Sequence, residues 1–315
     1  MRQILTITLN PALDSASDVD VVKPDLKLRC VNPSLEAGGG GVNVSRAIAL
    51  LGGDSAAFVA LGGPTGNMMA ELLAVAGVNV LRFDGPGMTR QSTAILETST
   101  GRQFRFGQPG PEWQAADAAR ALCEIEAKLR PNMLVVATGS LPPGVPDDFY
   151  VALGKRVKTK GAEMVLDTSG RAQKAVLSQG HGLVNVLRMD QHESELLAGE
   201  TLETPQAAAR FARSIVAQGV AALVIMARGA DGSVFAAADR AFHCVSPKGE
   251  VISKVGAGDS FVGGFTLGLA QGLRFEDAGK LATATAAAAV LTPGSQLCER
   301  ATTERLLANT TLTAL

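Results

Sequence analysis

Short runs of β-branched and aliphatic residues alternate along this chain with segments whose apolar positions recur at helical spacing. Apolar runs at 4–9, 57–61, 78–81, 134–137, 164–167, 183–187 and 223–226 predict strands. Helical patterns at 42–51, 67–76, 115–128 and 204–217 fall between them. Strands that read as continuously apolar are buried on both faces, so the alternation predicts an α/β fold: a mostly parallel sheet with helices on each side. Residues 234–237 read as a later strand, antiparallel if the turn at 229–232 reverses the chain.

Two stretches, 14–36 and 88–107, are polar-alternating and carry no helical period. Within the second, 93–97 and 103–106 predict a hairpin around 99–102. Strands inserted into an α/β chain form a flap over a site or an interface. No linker or internal repeat divides the sequence. The expectation is one α/β domain over 1–315, with a small β lid formed by about 14–36 and 88–107.

Of the 315 residues 46% are hydrophobic and only 4% aromatic, so the core must rest on Ala, Val and Leu. Lysines and arginines number 29 and acidic residues 30, a net charge of −1. That balance offers no field for nucleic acid or an anionic membrane, and neither is expected as a partner. A phosphorylated ligand must then be gripped by locally placed Arg and Lys. Cys30, Cys123, Cys244 and Cys298 lie far apart with no metal-ligand spacing, which predicts reduced thiols in a cytoplasmic protein. The start turns polar too early for a signal peptide, and the Ala-rich 282–290 is too short to span a bilayer.

The richest chemistry lies in Val255-Gly256-Ala257-Gly258-Asp259-Ser260-Phe261, which opens a helical pattern marked by Phe261, Phe265 and Leu269. Glycines let the backbone present bare N–H groups where a helix begins, and such a start attracts phosphate oxygens. A carboxylate beside an anion site repels the anion, unless it takes a proton from a hydroxyl while the N–H groups hold a phosphoryl group in flight. Read alone, the seven residues are equally a glycine-rich loop with an ordinary acidic first turn. A second cluster, Gly38-Gly39-Gly40-Gly41-Val42-Asn43, also enters a helix, and its spacing is not the dinucleotide pattern. Asp14 and Gly139-Ser140 each follow a predicted strand, on the carboxyl-end rim where α/β sheets bind ligands. Lys27, Arg29 and Arg90 lie in the inserted β segments.

Taken together, these residues resemble the PfkB branch of the ribokinase-like sugar kinases over nearly the whole chain. The matches are Asp14, the run 38–43, Thr89-Arg90-Gln91, the loop 139–144, Asp167-Thr168-Ser169-Gly170 and the run 255–260. Leu9-x-Pro11-x-Leu13-Asp14-Ser15-Ala16, Lys27-Leu28-Arg29-Cys30 and Leu297-Cys298 are similar to the minor-isozyme type of bacterial 6-phosphofructokinase. The resemblance implies a Rossmann-like sheet with a β lid, a homodimer through that lid, and phosphoryl transfer from MgATP to a sugar hydroxyl. Asp259 then becomes the base, with Gly256, Ala257 and Gly258 as the anion hole. Asp14, Gly38, Gly39, Asn43 and Ser140 would bind the sugar. Lys27, Arg29 and Arg90 would hold its phosphate, with Lys27 or Arg29 reaching from a partner subunit. Arg188, Asp190, Arg228, Gly229, Gly232 and Lys254 would flank the nucleotide, Asp190 and Glu193 would serve magnesium, and a potassium ion is a further candidate.

Four departures from the family pattern cluster on the nucleotide side. Asp190 replaces an amide, with His192 where relatives carry Lys. Lys254 stands where the family has Thr, as a buried ammonium that either binds phosphate or blocks the usual contact. Ala227 replaces a hydroxyl residue, and Thr292, Pro293 and Gln296 differ from the polar set used for a monovalent cation. The expected activity is ATP-dependent phosphorylation of fructose 6-phosphate, with tagatose-6-phosphate kinase or 1-phosphofructokinase as alternatives. A non-catalytic sugar-phosphate sensor is the alternative of another class.

Overall fold

The computed structural model describes residues 1–294 and 296–315. The chain begins β1 (Ile4–Thr8), β2 (Ala12–Val19), β3 (Val31–Gly38), α1 (Gly40–Leu50), β4 (Ala56–Leu61), α2 (Gly63–Val75) and β5 (Asn79–Asp84). It continues β6 (Arg90–Glu97), β7 (Arg102–Gly107), α3 (Ala115–Lys128), β8 (Leu134–Thr138), α4 (Phe149–Thr159), β9 (Glu163–Asp167) and α5 (Gly170–Gln179). Then follow β10 (Val184–Met189), α6 (Gln191–Ala198), α7 (Pro205–Ala217), β11 (Ala221–Ala227), β12 (Ser233–Ala237) and β13 (Ala241–Val245). Helices α8 (Ala257–Ala270), α9 (Phe275–Ala289) and α10 (Arg300–Leu307) precede a last strand, β14 (Thr311–Ala314).

A 10-stranded sheet has the order β14-β13-β12-β11-β10-β9-β8-β1-β4-β5. From β5 to β11 every pairing is parallel; β12, β13 and β14 add antiparallel strands at one edge. The predicted strands fall within or beside these elements, and 234–237 is antiparallel as the turn at 229–232 suggests. β13 and β14 were not expected. Strand alternation divides the core: Val135, Ala137, Met164 and Leu166 pack under α3, α4 and α7, whereas Leu134, Val136 and Val165 pack under α1, α8 and α9. Although aromatics are scarce, four are gathered where α8 meets the antiparallel edge. Phe235 stacks on Phe242 with centroids 4.6 Å apart, and Phe261 and Phe265 close the cluster at 5.9 and 6.0 Å from Phe235.

The two inserted segments form a separate 4-stranded sheet, β3-β2-β6-β7. Its register places Arg90 opposite Ala12 and Ser92 opposite Asp14, so these side chains share a face. From β1 the chain proceeds to β4 and β5 on one side, then returns to β8 on the other. That reversal is a topological switch point, the crevice where such sheets bind ligands. Among the described residues no helix is long and apolar enough to cross a membrane.

Candidate active site

Two clefts open at the carboxyl ends of the main sheet's strands and share one wall. The first, of about 400 Å³, lies at the switch point and is polar. Asp14, Arg90, Ser92 and Arg105 line it from the small sheet, Gly39, Gly40 and Asn43 from the start of α1, and Ser140 from the loop after β8. Asp167, Glu193, Gly256 and Asp259 complete it. Gly38 lies behind this surface, where a Cβ would run into the Asp14 carboxylate. Burial pushes the Asp14 carboxyl up to about 6, with Arg90 and Arg105 pulling the other way. Asn10, just after β1, donates to Ser140 Oγ at 3.0 Å and accepts Arg90 Nε on its carbonyl at 3.3 Å.

The second cleft, of about 480 Å³, has an apolar side made by Ala227, Phe261, Ala286, Ala287 and Val290. Gly229, Gly232, Lys248, Lys254, Ala257 and Gly258 are among the other residues that line it, and no carboxylate is. Arg188 also lines it, braced by an ion pair to Asp167 at 3.1 Å.

The shared wall is the turn 255–259. Gly256 caps α8 in the left-handed region, φ 74°, where a side chain would also strike Leu297. Ser260 N–H is the first in the helix to reach a backbone carbonyl within it, bonding to Gly256 O at 2.8 Å. The earlier amides of the first turn are therefore free for an anion. Asp259 stands on this turn facing the polar cleft, and Asn43 Nδ2 donates to its Oδ2 at 2.9 Å. Burial pushes the Asp259 carboxyl up to about 6; the Asn43 bond, Arg188 and Arg46 oppose the rise, and Asp167 adds to it. The glycine run and the acidic helix start, 216 positions apart, thus meet in one crevice.

Several expected residues fall elsewhere. Lys27 and Arg29 are exposed on the connection between β2 and β3, outside this chain's cleft; Arg105 joins Arg90 there instead. Arg228 does not line the second cleft. Its guanidinium donates to the carbonyls of Leu202 and Glu203, tying down the approach to α7. Asp190 is exposed and caps α6: its Oδ1 accepts Glu193 N–H at 2.8 Å, while Glu193 Oε2 accepts Asp190 N–H at 2.9 Å. This is a capping box, so the two acids share a structural task, and only Glu193 faces a cleft, the polar one. Lys254 is exposed on the cleft wall rather than a buried ammonium. Among the described residues no cluster of three or more His, Cys, Asp or Glu is arranged to hold a metal ion. Sequence reasoning missed Arg105, Ser92, Lys248 and Arg46. Alternation in 103–106 places Arg105 on one face, but only the pairing of β7 with β6 shows which face meets the cleft.

Comparison with known proteins agrees with this geometry. The family model for pfkB family carbohydrate kinases matches residues 7–302. ATP-dependent 6-phosphofructokinase isozyme 2 of Escherichia coli is 35% identical over 308 residues, covering 98% of this chain and 99% of that protein. The protein of the same name from Mycobacterium tuberculosis is 35% identical over 303 residues, covering 96% and 88%. Crystal structures of Escherichia coli phosphofructokinase-2 in complex with potassium and with fructose-6-phosphate superpose with TM-scores of 0.92 and 0.90, at 34% and 33% identity, each covering 98% of this chain and 99% of the other. A 1-phosphofructokinase of Xanthomonas campestris is 29% identical over 284 residues, covering 90% and 89%. With a glycine-lined helix start between two clefts and a family match over almost its full length, the chain belongs to the pfkB family of carbohydrate kinases.

Proposed function

We propose that this kinase transfers the terminal phosphoryl group of ATP to fructose 6-phosphate, giving fructose 1,6-bisphosphate. The observation that carries the reading is the placement of Asp259 on the turn shared by a polar, arginine-bearing cleft and an apolar, lysine-bearing one. The sugar phosphate occupies the first: Arg90 and Arg105 neutralise its phosphate, while Asp14, Asn43 and Ser140 bind hydroxyls. ATP fits the second, with its base against Ala286, Ala287 and Val290 and its phosphates toward Lys254 and the free amides of the 255–259 turn. Asp259 accepts the proton of the sugar hydroxyl as that oxygen forms its bond to the terminal phosphorus and the bond to the ADP oxygen breaks. The amides of Gly256, Ala257 and Gly258 hold the migrating group, so the protein's work is alignment and charge neutralisation.

Glu193, which faces the polar cleft, would hold a magnesium ion brought by the nucleotide phosphates, with Asp190 fixing the start of α6. When bound, it neutralises charge on the phosphates. A potassium ion near Thr292, Pro293 and Gln296 belongs to the same reading, supported by the potassium-bound relative. So do a cytoplasmic setting, a unit that acts as one domain with the small sheet as its lid, and a homodimer in which Lys27 or Arg29 reaches the partner's cleft. ADP release measured with fructose 6-phosphate, tagatose 6-phosphate and fructose 1-phosphate tests the activity. The highest kcat/KM is expected for the first, and no release with any of the three overturns the proposal. The 1-phosphofructokinase relative makes fructose 1-phosphate the second substrate to try.

A further inference from the structure

A single arginine joins the small sheet to Asp259. Arg46 follows Asn43 by three positions on α1, which puts both side chains on one helix face. Its guanidinium has three partners. Nη2 pairs with Glu36 Oε2 on β3 at 3.1 Å, while Nη1 donates to the Ala37 carbonyl at 3.0 Å and to Asn43 Oδ1 at 3.3 Å. Asn43 is buried, and its other end, Nδ2, donates to Asp259 Oδ2 at 2.9 Å. An amide has one accepting end and one donating end, whereas a guanidinium only donates and a carboxylate only accepts. The arginine therefore decides which end of Asn43 faces the acid. With the amide turned over, its oxygen would meet the carboxylate lone pair to lone pair and its NH2 would face the guanidinium.

We propose that Arg46 is a positioning residue for phosphoryl transfer. It locks the Asn43 amide so that one Asp259 oxygen is held and the other is left for the sugar hydroxyl, and it anchors that lock to β3. The proposal rests on the reading of Asp259 as the base. Because β3 also carries Gly38 against Asp14, a displacement of the small sheet reaches the acceptor side and the base through one strand. The charged groups facing Asp259 are Asp167 on β9, Arg188 on β10 and Arg46 on α1. Removing Arg46 takes away one of the two cations that favour the ionised acid.

The test measures sugar-dependent ADP release across pH for the wild type, Arg46→Met, Asn43→Ala and the double variant. Misplacing a base by a fraction of an ångström predicts that Arg46→Met lowers kcat about 10- to 100-fold. The acid limb of its pH profile should move upward and its KM for ATP should stay unchanged. If Arg46 acts through Asn43, adding Arg46→Met to Asn43→Ala costs less than about twofold more. Unchanged kcat in Arg46→Met overturns the proposal, as do losses that multiply in the double variant with an unmoved acid limb. Should Arg46→Met not fold, Arg46→Lys keeps the charge but has one nitrogen where the guanidinium uses two, Nη2 for Glu36 and Nη1 for Ala37 and Asn43. Reduced kcat at an unaltered melting temperature then supports the lock, and full kcat overturns it. A wild type that releases no ADP, or an Asp259→Asn chain at full rate, overturns the functional reading and the lock together. An active wild type indifferent to Arg46 overturns the lock alone.

Discussion

Asp259 is held where ionisation is unfavourable, and two measurable effects follow. Its carboxyl sits at about 6 in the folded chain against an ordinary 3.8, because burial penalises the charge. As the proposed base, Asp259 must be unprotonated, so kcat/KM is expected to fall as pH drops through about 6. The linkage to stability has the opposite sense. A folded-state value above the unfolded one means the charged acid destabilises the fold above about pH 6, and that penalty fades as pH falls toward 4. Asp259→Asn should therefore lower kcat by about 10²–10⁴-fold while fructose 6-phosphate still binds. The same variant should be more stable at pH 8, by up to about 3 kcal/mol, a gain measurable by calorimetry and absent near pH 4. A lower melting temperature at pH 8 would contradict the burial argument. Lys254 makes a separate prediction on the other side of the turn. If its ammonium holds donor phosphate, Lys254→Thr raises the KM for ATP about tenfold and spares the KM for the sugar phosphate; if it obstructs the donor instead, kcat rises. At this scale the sequence showed the glycines, Asp14, Asn43 and Asp259, whose chemistry is tied to local turns. It could not show Arg105, or the diversion of Arg228 to backbone carbonyls, because both depend on contacts made by distant segments.

Helix α8 carries the reactive turn at one end and the aromatic cluster along its length. Phe265 is fully buried between α8 and the antiparallel edge, stacked on Phe261 and tilted against Phe235. Phe265→Ala should cost about 3–5 kcal/mol, read as a shift in denaturant midpoint. A loss below about 1 kcal/mol would mean that the site collapses around the cavity. The central strands were readable because parallel strands buried on both faces leave nearly unbroken apolar runs. β13, with His243 in its middle, and β14, exposed along its length, leave no such run, and their place comes from pairing at the edge. The capping box of α6 was likewise legible only as two acids three apart. Their separation is the same whether they cap a helix or serve a metal, so spacing alone does not choose.

The whole molecule needs a second copy if Lys27 and Arg29 are to meet a phosphate, since both stand exposed outside their own chain's cleft. Mixing decides this. Asp259→Asn and Lys27→Met chains are each expected to be nearly inactive alone. Refolded together in equal amounts, half of the dimers are mixed, and each mixed dimer has one site with both residues intact, so about a quarter of wild-type activity should return. No recovery would place Lys27 at its own chain's site, and a Lys27→Met chain active by itself would remove Lys27 from any site.

If the two clefts take donor and acceptor as proposed, their meeting on either side of one turn also sets the stereochemical course: the two would approach phosphorus from opposite directions, each through its own mouth, and neither would have to leave before the other enters. Transfer in a single hop turns the phosphorus inside out, and a terminal thiophosphate made chiral with oxygen isotopes would arrive on the sugar with its handedness reversed.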